Sequence, residues 1–117
     1  MIQKVWRDED GMLRVLSDDG EFGAKFEDEI AEVLIAGGNR IVVRLNMVGP
    51  KRNRNVICLD QGCELVWQIE DPWEDSENDL DSPFDEIKYE DGSLRAHNAS
   101  EFWVEIDQES GNINEYD

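Results

Sequence analysis

The sequence predicts an all-β architecture, on three observations. Apolar and polar residues alternate with a period of two over most of the chain. Clusters of Gly with Asp or Asn punctuate it every 8–12 residues, a spacing that suits short strands joined by tight turns. The 3.6-residue apolar spacing of a helix shows only briefly, near 26–35, where FEDEIAEVL would place Phe26, Ile30, Val33 and Leu34 on one face. That segment leaves an α+β alternative with one short helix.

Taken in order, 2–7 is a strand, closed by the Asp8–Glu9–Asp10–Gly11 turn, and 12–16 is a second, followed by Ser17–Asp18–Asp19–Gly20. Glycine closes both turns because it accepts a positive φ without steric cost. Residues 22–29 read as irregular. Segments 30–36 and 40–47 form the strongest pair, because Gly37–Gly38–Asn39 is a hairpin turn and the second segment is β-branched; this favours strand over helix at 30–36. Residues 56–59 and 64–69 flank Asp60–Gln61–Gly62, and 84–90 and 93–97 flank Asp91–Gly92. Residues 101–106 and 112–116 complete a series of about nine short strands, expected as an antiparallel meander or sandwich within one domain, 1–117.

One stretch carries a resemblance. NVICLDQGCELVWQIE, 55–70, reads as an apolar strand, Leu59–Asp60, a Gly62 turn, and a returning strand with Trp67 and Gln68. It resembles half a blade of quinoprotein-type or WD-like β-propellers. DGSLRAHN at 91–98 and IDQESGNI at 106–113 echo it. A chain of 117 residues cannot build a propeller of at least four four-stranded blades, so the resemblance implies a blade-like meander without a ligand channel. The two segments together are similar to a group of small bacterial single-domain β proteins. Some of these look like immunity partners of contact-delivered toxins, the relation seen in contact-dependent growth inhibition. The likeness covers residues 55–113 and transfers no binding residue.

Charge divides the chain unevenly. The whole carries 29 acids and 11 bases, a net of −18. Residues 1–54 hold ten acids and nine bases, whereas 55–117 hold nineteen acids and only Lys88 and Arg95. A balance this acidic argues against direct binding to nucleic acid and to anionic membrane surfaces, both of which select basic faces. The densest part, 70–85, carries Glu70, Asp71, Glu74, Asp75, Glu77, Asp79, Asp81 and Asp85 with no base, bracketed by Pro72 and Pro83. It reads as a long loop inserted between strands. The partner-binding residues expected there are Asp71, Glu74, Asp75, Glu77, Asp79, Asp81 and Asp85, with Trp73 as apolar anchor, since Trp is a favoured contact residue. The plainer expectation is a solvated insertion. The basic stretch 40–54, with Arg40, Arg44, Lys51, Arg52 and Arg54, is expected to pair with it.

Catalytic motifs are missing from the string. His97 is the single histidine and is expected at a strand end, half-exposed. No P-loop, GxGxxG or GxSxG occurs. Asp75, Glu77, Asp79 and Asp81 alternate as in a calcium loop, but Leu80 occupies the position of the obligatory glycine. Cys58 and Cys63 form no CxxC and are expected as reduced structural thiols, with pairing across their hairpin left open. No cofactor and no metal are expected.

The N-terminal sequence lacks a signal peptide's apolar stretch, and no apolar run is long enough to cross a membrane as a helix, so a cytoplasmic location is expected. The functional expectation is a non-enzymatic, acidic protein-binding module: an immunity or inhibitor protein that blocks the cationic active site of a basic toxin of nuclease type. The alternatives are a nucleic-acid mimic that inhibits a DNA-binding protein, and an acidic β-domain of housekeeping role.

Overall fold

The computed structural model describes residues 1–47, 52–73 and 82–116. Eleven strands form three antiparallel sheets, each a meander of consecutive strands. The first holds β1 (Ile2–Arg7), β2 (Leu13–Ser17) and β3 (Gly20–Ala24) in chain order. The second holds β4 (Glu29–Ala36), β5 (Arg40–Asn46), β6 (Val56–Asp60) and β7 (Leu65–Gln68). The third holds β8 (Phe84–Glu90), β9 (Ser93–Asn98), β10 (Phe102–Ile106) and β11 (Ile113–Tyr116). The all-β expectation is correct, and the count is eleven rather than about nine.

The sheets stack in three layers with the second in the middle. On one side of it Ile30, Ile41, Val43, Leu45, Ile57 and Leu59 pack against Ile2, Leu13 and Val15 of the first sheet. On the other, Ala36, Val42, Val56, Cys58, Trp67 and Ile69 pack against Phe84, Ile87, Leu94, Ala96, Val104 and Ile106 of the third. A central layer buries both pleat faces, which is why β5 and β6 read as near-continuous apolar runs, IVV and VICL. The outer layers bury one face and alternate, as in β9, where Leu94, Ala96 and Asn98 point inward.

Two expectations from the sequence are corrected. The segment offered as a helix near 26–35 is strand β4 from Glu29 onward. It pairs with β5 from Glu29↔Asn46 to Ala36↔Arg40. Its residues serve two cores, Ile30, Val33 and Ile35 on one side and Leu34 and Ala36 on the other, which a single helical stripe cannot do. The stretch read as irregular, 22–29, contains most of β3, which pairs with β2 from Leu13↔Ala24 to Ser17↔Gly20. Two glycines and one large apolar residue, Phe22, hide this edge strand from a pattern search.

One turn recurs. In the β1–β2 hairpin Asp8 Oδ1 accepts the N–H groups of Asp10 and Met12, and the β6–β7 hairpin repeats this with Asp60 Oδ1 and the N–H groups of Gly62 and Glu64. Asp107 Oδ1 accepts those of Glu109 and Ser110 between β10 and β11. Each turn then needs one residue at positive φ, which is Gly11 (78°), Cys63 (66°) and Gly111 (79°). Glycine is the low-strain choice, and Cys63 is the exception.

Candidate interaction surface

The acid-rich insertion leaves the middle sheet after Ile69 and rejoins the fold at Ser82. Both ends are fastened to one residue. Asn53, buried at the centre of a short 3-10 turn (Arg52–Arg54), donates from Nδ2 to Asp71 Oδ1 at 3.3 Å. Its Oδ1 accepts the Ser82 N–H at 2.7 Å. Ser82 in turn donates from Oγ to Asn98 Oδ1 at 2.6 Å, lies 2.6 Å from Ser100 Oγ, and accepts at its carbonyl from Asn98 Nδ2. Asn55 holds the next residues: its Nδ2 donates to the carbonyls of Phe84 and Leu45, and its Oδ1 accepts the Phe84 N–H. Buried amides with both ends satisfied fix geometry, because leaving either end open would cost about 1–3 kcal/mol.

Of the residues expected to bind a partner, three lie within the described residues. Asp71 is partly an anchoring residue, since its Oδ1 also accepts the Trp73 N–H at 2.8 Å. Trp73 is half-buried and meets Phe102 edge-on, with centroids 5.7 Å apart and planes at 77°. Phe102 meets Tyr116 at 5.9 Å, so the three rings form a row from the stem of the insertion to the edge strand β11. The Trp73 Nε1–H is buried and has no hydrogen-bond partner among the described residues. Asp85 stands apart from this row, exposed, with its Oδ1 2.7 Å from His97 Nδ1. Glu74, Asp75, Glu77, Asp79 and Asp81 lie outside the described residues, and with them the whole calcium-like alternation.

Glu70 closes the other side of the row. Its Oε1 accepts the Ile113 N–H at 2.9 Å at the start of β11, and its N–H donates to the Gly111 carbonyl. Burial pushes the Tyr116 hydroxyl above the ordinary tyrosine range, and the Glu70 charge adds to that effect.

The pairing expected between the basic stretch and the acid-rich segment falls largely outside the described residues, which include neither Lys51 nor five of the acids, and two of the arginines are placed as follows. Arg44 Nε donates to Glu32 at 2.6 Å across β4 and β5. Arg54 donates to the backbone carbonyls of Ile69 and Gln68, and Gln68 Nε2 donates back to the Arg54 carbonyl. The neutral amide of Asn53, between two arginines, also joins the two loops.

His97 lies near the end of β9 as expected, and on the outer face of the third sheet its ring meets the Trp103 ring edge-on, with centroids 5.1 Å apart and planes at 60°. Lys88 covers the same ring at 4.3 Å. Cys58 lies between the second and third sheets, and burial pushes its thiol up to about 12. Cys63 packs on the opposite side of the middle sheet, and both thiols are free. Among the described residues no group of three or more His, Cys, Asp or Glu is placed to hold a metal ion, and no helix is long and apolar enough to cross a membrane.

These elements are those of a β-protein whose polar anchors hold a surface insertion in place. A family model, the domain of unknown function DUF7957, matches residues 13–117, and the chain belongs to that family. No curated protein and no solved structure matches it.

Proposed function

We propose that this protein is an acidic, non-catalytic binding module for a basic protein, and that the partner is a toxin of nuclease type whose cationic active site it occupies. The observation that carries the reading is the Asn53 clamp: the segment 71–82, with six acids and no base, is fastened at both ends, beside a half-buried tryptophan. A fastened segment loses less conformational freedom on binding than a free tail. Nuclease sites hold phosphates and are therefore basic, so an acidic face steers association and raises the on-rate. In this reading the module acts in the cytoplasm and uses no cofactor.

The test is affinity capture from the native lysate at low salt, with a parallel bait reversed at Glu74, Asp75 and Glu77 to lysine. The expected result is one strongly basic protein, released sharply by NaCl, missing from the reversed bait, and inhibited as a nuclease by the unaltered module. Recovery of the same abundant basic proteins by both baits overturns the reading.

A second reading, mimicry of a nucleic-acid backbone, is favoured by one observation. Asp8, Glu9, Asp10, Glu27, Asp28 and Glu29 line an open cleft of about 630 Å³ away from the insertion. Mimicry requires carboxylates in more than one place. If amides at these six positions abolish capture while the reversed bait still captures, mimicry replaces the first reading.

A further inference from the structure

An edge strand presents unpaired backbone groups to any passing chain, and folds blunt such edges with bulges, charges or covering loops. The three sheets have β1, β3, β4, β7, β8 and β11 at their edges. A register shift interrupts the pairing where β1, β4, β7, β8 and β11 each meet their neighbour. β3 runs beside β2 without a shift, from Leu13↔Ala24 to Ser17↔Gly20. Two other edges are also met by neighbouring segments: the Ile2 N–H donates to the Gly38 carbonyl, and the Ile113 N–H to Glu70. Among the described residues no backbone group of Glu21, Phe22, Gly23 or Ala24 has a hydrogen-bond partner outside β2.

The face beside this open edge departs from the charge of the chain. Phe22 and Ala24 turn toward the first core, so alternation leaves two cross-strand rows on the outer face, Lys4–Leu16–Glu21 and Trp6–Arg14–Gly23. Two bases and one acid stand there, in a chain of net −18. Gly23 leaves a gap in the second row, over which Arg14 and Met12 extend: an added Cβ would meet Arg14 Nη1 and Met12 Cε, each at 3.1 Å. Asp8 takes the Arg14 Nε–H at 2.9 Å, and the Nη donors have no partner among the described residues.

We propose that β3 receives an extended segment of a second protein as a fourth strand of the first sheet, with one carboxylate of that segment reaching Arg14 across the gap at Gly23. Backbone pairing supplies the affinity, as in other cases of strand addition, and the side chain that lands beside Gly23 supplies the selectivity. A carboxylate fits there because the guanidinium has donors to spare and nothing at position 23 screens it. The middle sheet separates this edge from the third sheet, where the insertion rejoins the fold, so the inference goes beyond the reading of the insertion and does not depend on it.

The probe is the peptide acetyl-Ser-Thr-Val-Glu-Val-Thr-Ser-amide, titrated into the ¹⁵N-labelled full chain, with a counterpart carrying Gln for Glu. The expected result is that the amides of Glu21 to Ala24 shift first, and that the Glu peptide binds two- to about fivefold more tightly than the Gln peptide. Arg14→Gln, which keeps a donor for Asp8 and loses the charge, should make the two peptides equal. Gly23→Val should do the same by filling the gap, since the atoms its Cβ would meet are the far ends of flexible side chains. Shifts confined to other strands, or equal binding of both peptides to the unaltered chain, overturn the proposal. So does a change of the β3 amides on dilution of the chain alone, which would give the edge to a second copy. A thymidine oligonucleotide that moves the Trp6 indole while neither peptide binds would give the face to nucleic acid instead.

Discussion

Trp67 and Trp73 stand six positions apart in the sequence and meet opposite fates. Trp67 is 5% exposed, donates from Nε1 to the Gln108 carbonyl at 2.9 Å, and lies against Gly111, where an added Cβ would come within 2.7 Å of its ring. Trp73 is half-buried, meets Phe102 edge-on, and has a buried N–H without a partner among the described residues. The first tryptophan is part of the joint between the second and third sheets, with every polar group answered. Among the described residues the second is held by its backbone N–H and by its contact with the Phe102 ring, at the stem of the insertion. A side chain with an unanswered donor is less committed to its place, which suits a surface that meets another molecule better than one that holds the core.

The sharpest way to break this comparison is at Gly111. Alanine there would meet the Trp67 ring and would have to adopt φ near +79°. Left-handed strain and overpacking together should cost about 3 kcal/mol, read from urea unfolding midpoints. Pairing Gly111→Ala with Trp67→Leu tests the cause, because the double variant relieves the clash and keeps the strain. Its coupling energy should be negative by about 1–2 kcal/mol.

Next come the two indoles themselves. Trp67→Phe removes a bonded N–H and leaves the Gln108 carbonyl and a small void behind, for an expected loss of about 2 kcal/mol. Trp73→Phe removes a donor that had no partner and should change stability by less than about 0.5 kcal/mol in the same denaturant series. Equal losses would abolish the distinction. Asn53→Ala sits between them in size. The variant leaves the Ser82 N–H without its acceptor, whereas Asp71 Oδ1 keeps the Trp73 N–H, and should cost about 1–2 kcal/mol, with faster hydrogen exchange at the Ser82 amide while the Trp67 indole stays protected.

How far these features could be read from sequence follows from the range over which they act. Turns are local, so Asp8, Asp60 and Asp107 and their following residues marked hairpins correctly. The strand pairs around Gly37–Gly38–Asn39 did so too. The third edge of the first sheet was missed because Gly20, Gly23 and Ala24 bring almost nothing to an alternation pattern. The helix alternative at 26–35 arose because a strand serving two cores has apolar residues on both faces, and such a run fits a short helical stripe equally well. Asp71 and Trp73 were picked out by their setting among acids and prolines. Asn53 was not, because its partners lie 18 and 29 residues away and an asparagine in a basic loop carries no signal of its own. Phe102 and Tyr116 were read only as strand residues, since their meeting with Trp73 depends on how the third sheet packs.

Cys63 sharpens the comparison from the turn side. It takes φ 66° where Gly11 and Gly111 occupy the matching places in the other two aspartate turns. Cys63→Gly removes left-handed strain and part of a contact with the first core, and it loosens the unfolded chain. The balance should be a gain of up to about 1 kcal/mol in thermal unfolding. A loss would mean that the thiol's packing outweighs its backbone strain.

The smallest expected effect is on acidification, and it acts on the Trp67 side. Asp107 is held below the usual carboxylate range by the N–H groups of Glu109 and Ser110, in the loop that supplies Gln108 and Gly111 to Trp67. A carboxyl whose folded value lies below its unfolded value of 3.8 stabilises the fold fully at higher pH. That contribution is lost as the pH falls below 3.8 and through the folded value. Protonation should therefore loosen the turn first, and hydrogen exchange at the Trp67 indole should quicken between neutral pH and pH about 3 beyond the intrinsic rate. Asp107→Asn keeps an acceptor oxygen for the turn and removes the titrating group, so this acid-dependent component should vanish in the variant. If it persists there, the loosening comes from general protonation of the acidic surface rather than from the turn that seats the tryptophan.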